Sequence, residues 1–287
     1  MDIKLLRAFV TLAQQGRFHA AADILCLTQP ALTKQIQTLE HLMGVTLFLR
    51  GRQGAKMTDA GQQLYSAACE LLSHYDQFRD YAREIQQGRA GKLTLGFGIS
   101  SFQLAPTQVI AFRQQYPNVE VSLNDIPSDV QCRMLLEGTL QAGFIRLPAP
   151  EPLKTRILLD EALVLAIPAD VTVDAENIQP VLEQHQLLQI SPHRGRGLAD
   201  QAVSFLNRHK LSARAVAVAD DIQTLLAFVA ARNGVALLPA AVRHIMPAGI
   251  KLVPLSGEYS RWQVGIAWNP AIQDVLRDKF LAMLPAD

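Results

Sequence analysis

The chain has 287 residues, enough for two or three domains, and 49% apolar side chains, enough for sizeable cores. Formal net charge is +1, so the molecule as a whole does not announce a polyanionic partner, yet the charge is uneven. Residues 1–58 carry seven basic side chains (Lys4, Arg7, Arg17, Lys34, Arg50, Arg52, Lys56) against three acidic ones (Asp2, Asp23, Glu40), so a basic head precedes a mildly acidic body.

The cysteines, Cys26, Cys69 and Cys132, are few and far apart, which argues against a disulfide framework or a zinc site. The opening "MDIKLLRAFVTLAQQG" has scattered charges and no small-residue cleavage site, so no signal peptide is expected. The most apolar stretch, 225–242, is broken by Arg232, Asn233, Gly234 and Pro239 and does not read as a membrane span. The expectation is a soluble cytoplasmic protein with no membrane association, no metal and no cofactor.

Three regions separate by pattern. In the first, residues 1–58, Leu5, Leu6, Phe9, Val10, Leu12 and Ala13 form a helix stripe ended by Gly16. Phe18 to Leu25 is a second, alanine-rich helix. In "LTQPALTKQIQTLE" Thr28 is a plausible N-cap, which puts Pro30 in the first turn, where its missing N–H has no intrahelical partner to lose. Pro30 therefore starts a third helix, and residues 26–28 become the turn between helices two and three. Leu32, Ile36, Leu39 and Met43 fall on one side of that helix and Gln29, Thr33, Lys34 and Gln37 on another. Gly44 ends it. "VTLFLRGRQGAKMT" then reads as two short strands around a basic, glycine-bearing tip. Together these make a winged helix-turn-helix. Amides and a hydroxyl on the exposed face can hydrogen-bond base edges in a major groove, while Arg50, Arg52 and Lys56 suit phosphate or minor-groove contact. The competing reading is a helical subdomain with a solvated polar face, against which the local basic excess and the wing both weigh.

In the second region, residues 59–87, Leu64, Ala68, Leu71, Tyr75, Phe78, Ala82 and Ile85 recur at alternating steps of four and three. A period of 3.5 is a coiled-coil seam and calls for a partner helix, so dimerisation is assigned to Leu64, Leu71, Tyr75 and Phe78. The alternative is a long helix lying on its own protein.

From residue 88 onward β-rich runs alternate with helices after the hinge-like "GRAGK". "KLTLGFG", "VEVSLNDI" and "QAGFIRL" alternate with two helical runs, a βαβαβ order that implies a parallel sheet with a ligand crevice at its strand ends. A second unit follows, built from "RILLDEALVLAIP", "HQLLQIS", "ARAVAVA" and "GVALLP", with helices over 198–209 and 221–232. "IKLVPL" and "RWQVGIAW" then return, and the tail from Ile272 reads as helical. The expected lobes are about 91–161 plus 267–287, and about 162–266. Strand ends nominate Ser100, Ser101, Ser128 and Arg146, faced by "SPHRGRG", read as a flexible basic loop carrying His193 and Arg194. A small organic carboxylate is the expected ligand. Against it, each serine could be a mere helix cap and Arg146 a structural ion pair.

The run "FHAAADILCLTQPALTKQIQTLEHLMGVTLFLR…MTDAG" resembles the N-terminal signature of LysR-type transcriptional regulators. It has the aromatic followed by alanines, the Thr-Gln-Pro-Ala, the second Thr33 and the Leu39-Glu40 pair. Leu49 departs from the polar residue often found there. The resemblance implies that Gln29, Pro30, Thr33 and Lys34 face DNA, that Thr28 caps, and that the wing arginines meet the backbone. It implies a winged helix-turn-helix, a linker helix and a two-lobed, periplasmic-binding-protein-like α/β effector domain. It implies homotetramers on double-stranded promoter DNA, with RNA polymerase as a further partner. "GFIRLP" is similar to the segment in members that sense aromatic acids or their ring-cleavage products.

Other functions compete, of which a plain nucleoid-binding protein would not need a two-lobed domain with a crevice and a solute-binding transport protein would not need a basic helix-turn-helix. A two-lobed α/β enzyme lacks support: there is no G-x-S-x-G, no G-x-G-x-x-G and no P-loop, and His185, His193 and His209 are not spaced as zinc ligands. A redox-sensing regulator would use Cys132, but its place beside Leu135 and Leu136 suits a buried structural thiol.

Overall fold

The structure, a computed structural model, describes residues 2–51 and 54–285. The side chains of residues 50, 192–196, 217 and 218 lie outside the described set. The chain divides into two compact units, Met1–Gln86 and Gln87–Asp287.

In the first unit α1 (Ile3–Gln15) and α2 (Phe18–Ile24) are separated by Gly16, whose φ of 65° lets the chain reverse into the left-handed region. Helix α3 (Gln29–Met43) begins at Thr28 and stops at Gly44, φ 69°. The turn between α2 and α3 is closed by the Leu27 N–H donating to the Ala22 carbonyl at 2.9 Å, with Cys26 at φ 54°. Strands β1 (Phe48–Gly51) and β2 (Gly54–Met57) pair antiparallel as the wing. The long helix α4 (Asp59–Gln86) follows.

Phe9, Leu12, Leu32, Ile36, Leu39 and Leu47 are fully buried together. The ring of Phe9 meets Phe48 edge-on at 5.6 Å and Tyr65 at 6.3 Å, an arrangement that adds quadrupole attraction to burial. Ala8, Ala21 and Ala22 are buried where α1 and α2 approach, as the alanine-rich pattern predicts. The wing is fixed to the α1–α2 turn: the Ala55 N–H donates to the Gly16 carbonyl at 2.8 Å, and a Cβ at Gly54 would lie 2.3 Å from that oxygen. One expectation needs correction. Ala68 belongs to the core of this unit, with Tyr65, Cys69 and Leu72 packed around it, so the first turns of α4 rest on their own domain.

The second unit opens with β3 (Ala90–Phe97), a 3₁₀ turn over Ile99–Ser101, α5 (Leu104–Gln115), β4 (Asn118–Asp125), α6 (Ser128–Glu137) and β5 (Ala142–Arg146). The long β6 (Lys154–Pro168) is followed by α7 (Gln179–Gln184), β7 (Leu187–Ile190) and α8 (Pro192–Arg208). Then come β8 (Ala215–Ala219), α9 (Ile222–Ala230), β9 (Val235–Pro239), a 3₁₀ turn, β10 (Ile250–Pro254), β11 (Arg261–Trp268) and α10 (Val275–Met283). Among the described residues the strands join one nine-stranded mixed sheet in the order β4-β3-β5-β11-β6-β9-β7-β8, with β10 also on β6.

Strand β3 runs parallel to β4 and β5, the predicted βαβαβ unit. Strand β11 pairs antiparallel with both β5 and β6, and β6 goes on to pair with β9 and β10. Two long strands thus carry the sheet from the first lobe into the second. Alternation along β6 sends Leu163, Leu165 and Ile167 to one face with Phe205 and Leu206, and Val164 and Ala166 to the other with Leu225 and Val229. In the first lobe Phe280 of α10 packs edge-on against Phe112 at 5.5 Å and Phe144 at 6.3 Å.

A second correction concerns "SPHRGRG". It is not a loop but the first turns of α8, which begins at Pro192. Proline suits the first helical position because its φ is already helical and the N–H it lacks would be unpaired there. Two glycines weaken a helix interior but do not forbid it, and the Ser191 N–H anchors the start by donating to the Ala219 carbonyl at 2.8 Å.

Candidate nucleic-acid interface and ligand cleft

Helix α3 is amphipathic in the sense the sequence requires. Leu32, Ile36 and Leu39 are sealed in the core, which turns Gln29, Pro30, Lys34 and Gln37 to the exterior and leaves Thr33 half-buried beside them. Thr28 is also exposed, and its Oγ1 accepts from the Ala31 N–H at 3.4 Å, a long N-cap bond. A rigid apolar back with amides, a hydroxyl and an ammonium in front can hydrogen-bond the edges and phosphates of a duplex groove. On the wing Lys56 is exposed, as is Leu49. The side chain of Arg50 and the whole of Arg52 lie outside the described residues.

Two supporting residues escaped the reading of this unit. Glu40 accepts from the N–H groups of Leu47 and Phe48 at 2.8 and 3.2 Å, so α3 sets where the wing begins. Thr58 donates to the Thr46 carbonyl at 2.6 Å and accepts from the Gly61 N–H at 2.9 Å, capping α4 against the wing. A Cβ at Gly61 would lie 2.3 Å from the Leu47 carbonyl oxygen, so that contact needs glycine. The signal was present in the Leu39-Glu40 and Thr-Asp-Ala-Gly motifs, but motif spelling does not say which backbone groups a side chain serves. Arg7, counted in the basic head, is ion-paired with Asp76 on α4 and lies 6.0 Å from the Tyr75 ring.

Of the seam on α4, Leu64, Leu71, Tyr75 and Phe78 are all exposed, with Leu71 at 51% and Phe78 at 68%. Ile85 and Tyr81 extend this apolar ridge. These side chains leave an extended apolar ridge exposed along α4.

In the second unit a cleft of about 880 Å³ opens at the strand ends. Ser100, Ser101, Ser128 and Arg146 all line it, so four of the predicted residues converge. The side chains of His193 and Arg194 lie outside the described residues. The four are not equivalent. Ser101 is buried and its hydroxyl donates to the Gly98 carbonyl at 3.0 Å, holding the 3₁₀ turn. Ser128 is the first residue of α6, and its Oγ accepts from the Arg146 N–H at 3.1 Å, which ties the helix start to the end of β5.

Arg146 reaches across to α8: its guanidinium donates to the Gly197 carbonyl and to Gln201 Oε1, both at 2.9 Å. Its face lies 3.9 Å above the Trp262 ring. Burial pulls its pKa down to about 10, against the opposing pull of Glu161 and Asp200, so it stays charged at neutral pH. Gln201 and Trp262 were missed because they lie on other elements, 55 and more positions away in the chain.

Gln131 was also missed. It is fully buried and donates to the Ile126 and Phe144 carbonyls at 2.7 and 3.2 Å. Its side chain fills the space over Gly96 and Gly143, where a Cβ would approach it to 2.7 and 2.3 Å. This amide keys α6 to the ends of β4 and β5 and so positions Ser128.

Cys132 also lines the cleft but is only 9% exposed. Burial first, then Asp129, push its thiol pKa up, with Arg133 opposing weakly, so the reactive thiolate is disfavoured. Asp125, Asp129, Asp220 and Asp221 line the cleft too. Asp221 caps α9 through the Thr224 N–H at 2.7 Å, and Asp129 pairs with Arg133 at 3.4 Å. Among the described residues no group of three His, Cys, Asp or Glu could hold a metal ion, and no helix is long and apolar enough to cross a membrane.

Comparison with known proteins matches both units. Residues 3–62 match the family described as bacterial regulatory helix-turn-helix proteins of the lysR family, and residues 86–285 match the LysR substrate binding domain. A relative from Acinetobacter lwoffii, described as a probable cat1 operon transcriptional activator, is 32% identical over 252 residues, 85% of this chain and 82% of that one. The uncharacterised regulator YnfL of Escherichia coli K12 is 30% identical over 274 residues, 93% and 92% of the two chains. The crystal structure of CbnR, a LysR family transcriptional regulator, superposes with a TM-score of 0.73 at 25% identity, covering 99% of this chain and 100% of that one.

Proposed function

The chain belongs to the LysR family of DNA-binding transcriptional regulators, and from that premise we propose how its residues divide the work. Residues 1–58 read promoter DNA through α3, with Gln29, Thr33 and Gln37 toward base edges. Pro30 seats the helix start, Thr28 caps it, and Lys34, Arg50 and Arg52 contact phosphate. Residues 59–87 pair through Leu64, Leu71, Tyr75 and Phe78, and two such dimers make a homotetramer that presents the DNA-reading units together. Residues 88–287 hold the effector. The protein works in the cytoplasm, without catalysing a reaction.

The effector is a carboxylate whose acid group sits at Ser128, the first residue of α6, in the cleft that Ser100 and Arg146 also line. The single observation that supports this is the Arg146 clasp. One side chain lines the cleft from β5, hydrogen-bonds α8 and stays charged in a partly desolvated site. An acid competing for those donors changes how the first lobe is held to α8. That gives it unequal affinity for two arrangements, the condition for shifting a population. Two linked DNA-reading units then gain or lose simultaneous contact with their half-sites.

Calorimetry with a panel of small carboxylates tests this. Binding by the wild type should weaken in Ser128→Ala and in Arg146→Gln; binding indifferent to both substitutions would remove the acid site from Ser128 and Arg146.

A further inference from the structure

The cleft continues beyond its polar end. Asp129, Cys132, Arg133 and Leu136 of α6 line it at steps of three, one and three, which is one face of the helix. The other face, with Gln131 and Leu135, is sealed against the sheet. From the first of these to the last the wall runs about 10 Å. It leads away from Ser128 and ends at Leu136, which is 41% exposed although it lines a cavity.

The same cavity is lined by Leu147, Pro148 and Pro150 of the segment between β5 and β6. Prolines bring no backbone N–H, and the Leu147 N–H donates to the Gln263 carbonyl at 2.9 Å, so these three lining residues offer no donor that a hydrocarbon would leave unpaired. The two charges on the α6 wall answer each other, Arg133 with Asp129 at 3.4 Å, and Cys132 is a neutral thiol. What remains for a ligand beside that ion pair is an apolar strip of Cys132, Leu136, Leu147, Pro148 and Pro150 in the same cavity as Ser128. At about 880 Å³ the whole cleft is far larger than a short acid fills, and falls in the range of sites that enclose drug-sized ligands.

We propose that the groove between α6 and the Leu147–Pro150 segment is a tail subsite. It makes the effector an amphipathic acid, with a carboxylate head at Ser128 and an apolar tail reaching Leu136. This rests on the carboxylate reading above. It adds to that reading a length requirement that Ser128 and Arg146 alone do not impose.

The test is a titration of the full-length protein with butyrate, hexanoate, octanoate, decanoate and 1-decanol, for wild type and Leu136→Asp. Leu136 is exposed enough for the variant to fold, and its butyrate affinity serves as the check. In the wild type, affinity should rise by about fourfold per methylene along the acids. In Leu136→Asp the rise should flatten while butyrate binds as before. If butyrate binds and decanoate binds no better, the tail subsite is overturned, the acid site stands, and the groove is left for a protein segment. A length dependence that survives Leu136→Asp places the tail elsewhere and also overturns it. Should 1-decanol match decanoate, the acid head is refuted and the groove is upheld. If none of the five binds, the acid site and the tail subsite both fall.

Discussion

Helix α3 and the cleft present polar groups in opposite ways. On α3 the amides and the ammonium stand outward on a convex face, each a few positions from the next, and the apolar back of the same helix holds them rigid. In the cleft the hydroxyls and the guanidinium face inward from β5, α6 and the turn after β3, and are held by partners on still other elements. A convex reader can be large and repetitive in its target because the target comes to it. A concave one must be assembled by long-range packing and selects something small enough to enter. The contrast suits the proposed division, the first face for a polymer and the second for a small molecule.

The comparison breaks first at the rod. If the outward reader depends on being doubled, Phe78→Asp with Leu71→Asp should abolish assembly. It should also lower affinity for a two-half-site duplex by about 10²- to 10⁴-fold, because the effective concentration of the second unit is lost. Analytical ultracentrifugation and fluorescence anisotropy check the two effects together. Next, Glu40→Ala removes the acceptor for two N–H groups at the wing root, one of them buried with Leu47. It should cost about 2 kcal/mol of stability in this unit. Thermal denaturation of the full chain should show the N-terminal transition moving down and that of the effector unit unchanged.

Lys34→Ala sharpens the distinction between positioning and specifying contacts. It should weaken binding evenly across sequences and reduce the salt slope by about one, whereas Gln29→Ala should cost about 1–3 kcal/mol and relax preference at one base position. On the concave side, Ser128→Ala should reduce carboxylate affinity by about fivefold, near 1 kcal/mol, and leave DNA affinity without effector untouched. The pH dependence is the subtlest. Burial holds the Arg146 pKa well below the ordinary guanidinium value, at about 10. Its folded value therefore lies below its unfolded one, so burying the charge works against stability at neutral pH, and the penalty fades as pH rises through 10. Acid binding needs the charge, so affinity should be flat through neutrality and fall as pH approaches 10.

The two regions also differed in how much of them was legible. Thr28, Pro30 and the buried run Leu32, Ile36, Leu39 are local facts, separated by less than four turns of one helix, and periodicity alone recovers the exposed face. The strand ends that carry Ser128 and Arg146 were legible for the same reason: in an alternating βα pattern the crevice follows from the topology. Gln131, Gln201 and Trp262 were not, since each acts on a group far away in sequence and a buried glutamine or a stacked tryptophan has no pattern of its own. Helix α8 was misread because two glycines and a proline look like a loop until Pro192 is recognised as a helix start. Ala68 was misread because a 3.5 repeat does not reveal where a helix leaves its own domain and becomes free for a partner.

The most direct test is selection of bound duplexes from a random-sequence pool by the purified full-length protein in dilute salt. The account predicts enrichment of one motif with two related half-sites, lost in Phe78→Asp and reduced without change of consensus in Lys34→Ala. A pool that emerges with no enriched motif, or with one indifferent to substitutions on α3, would contradict it.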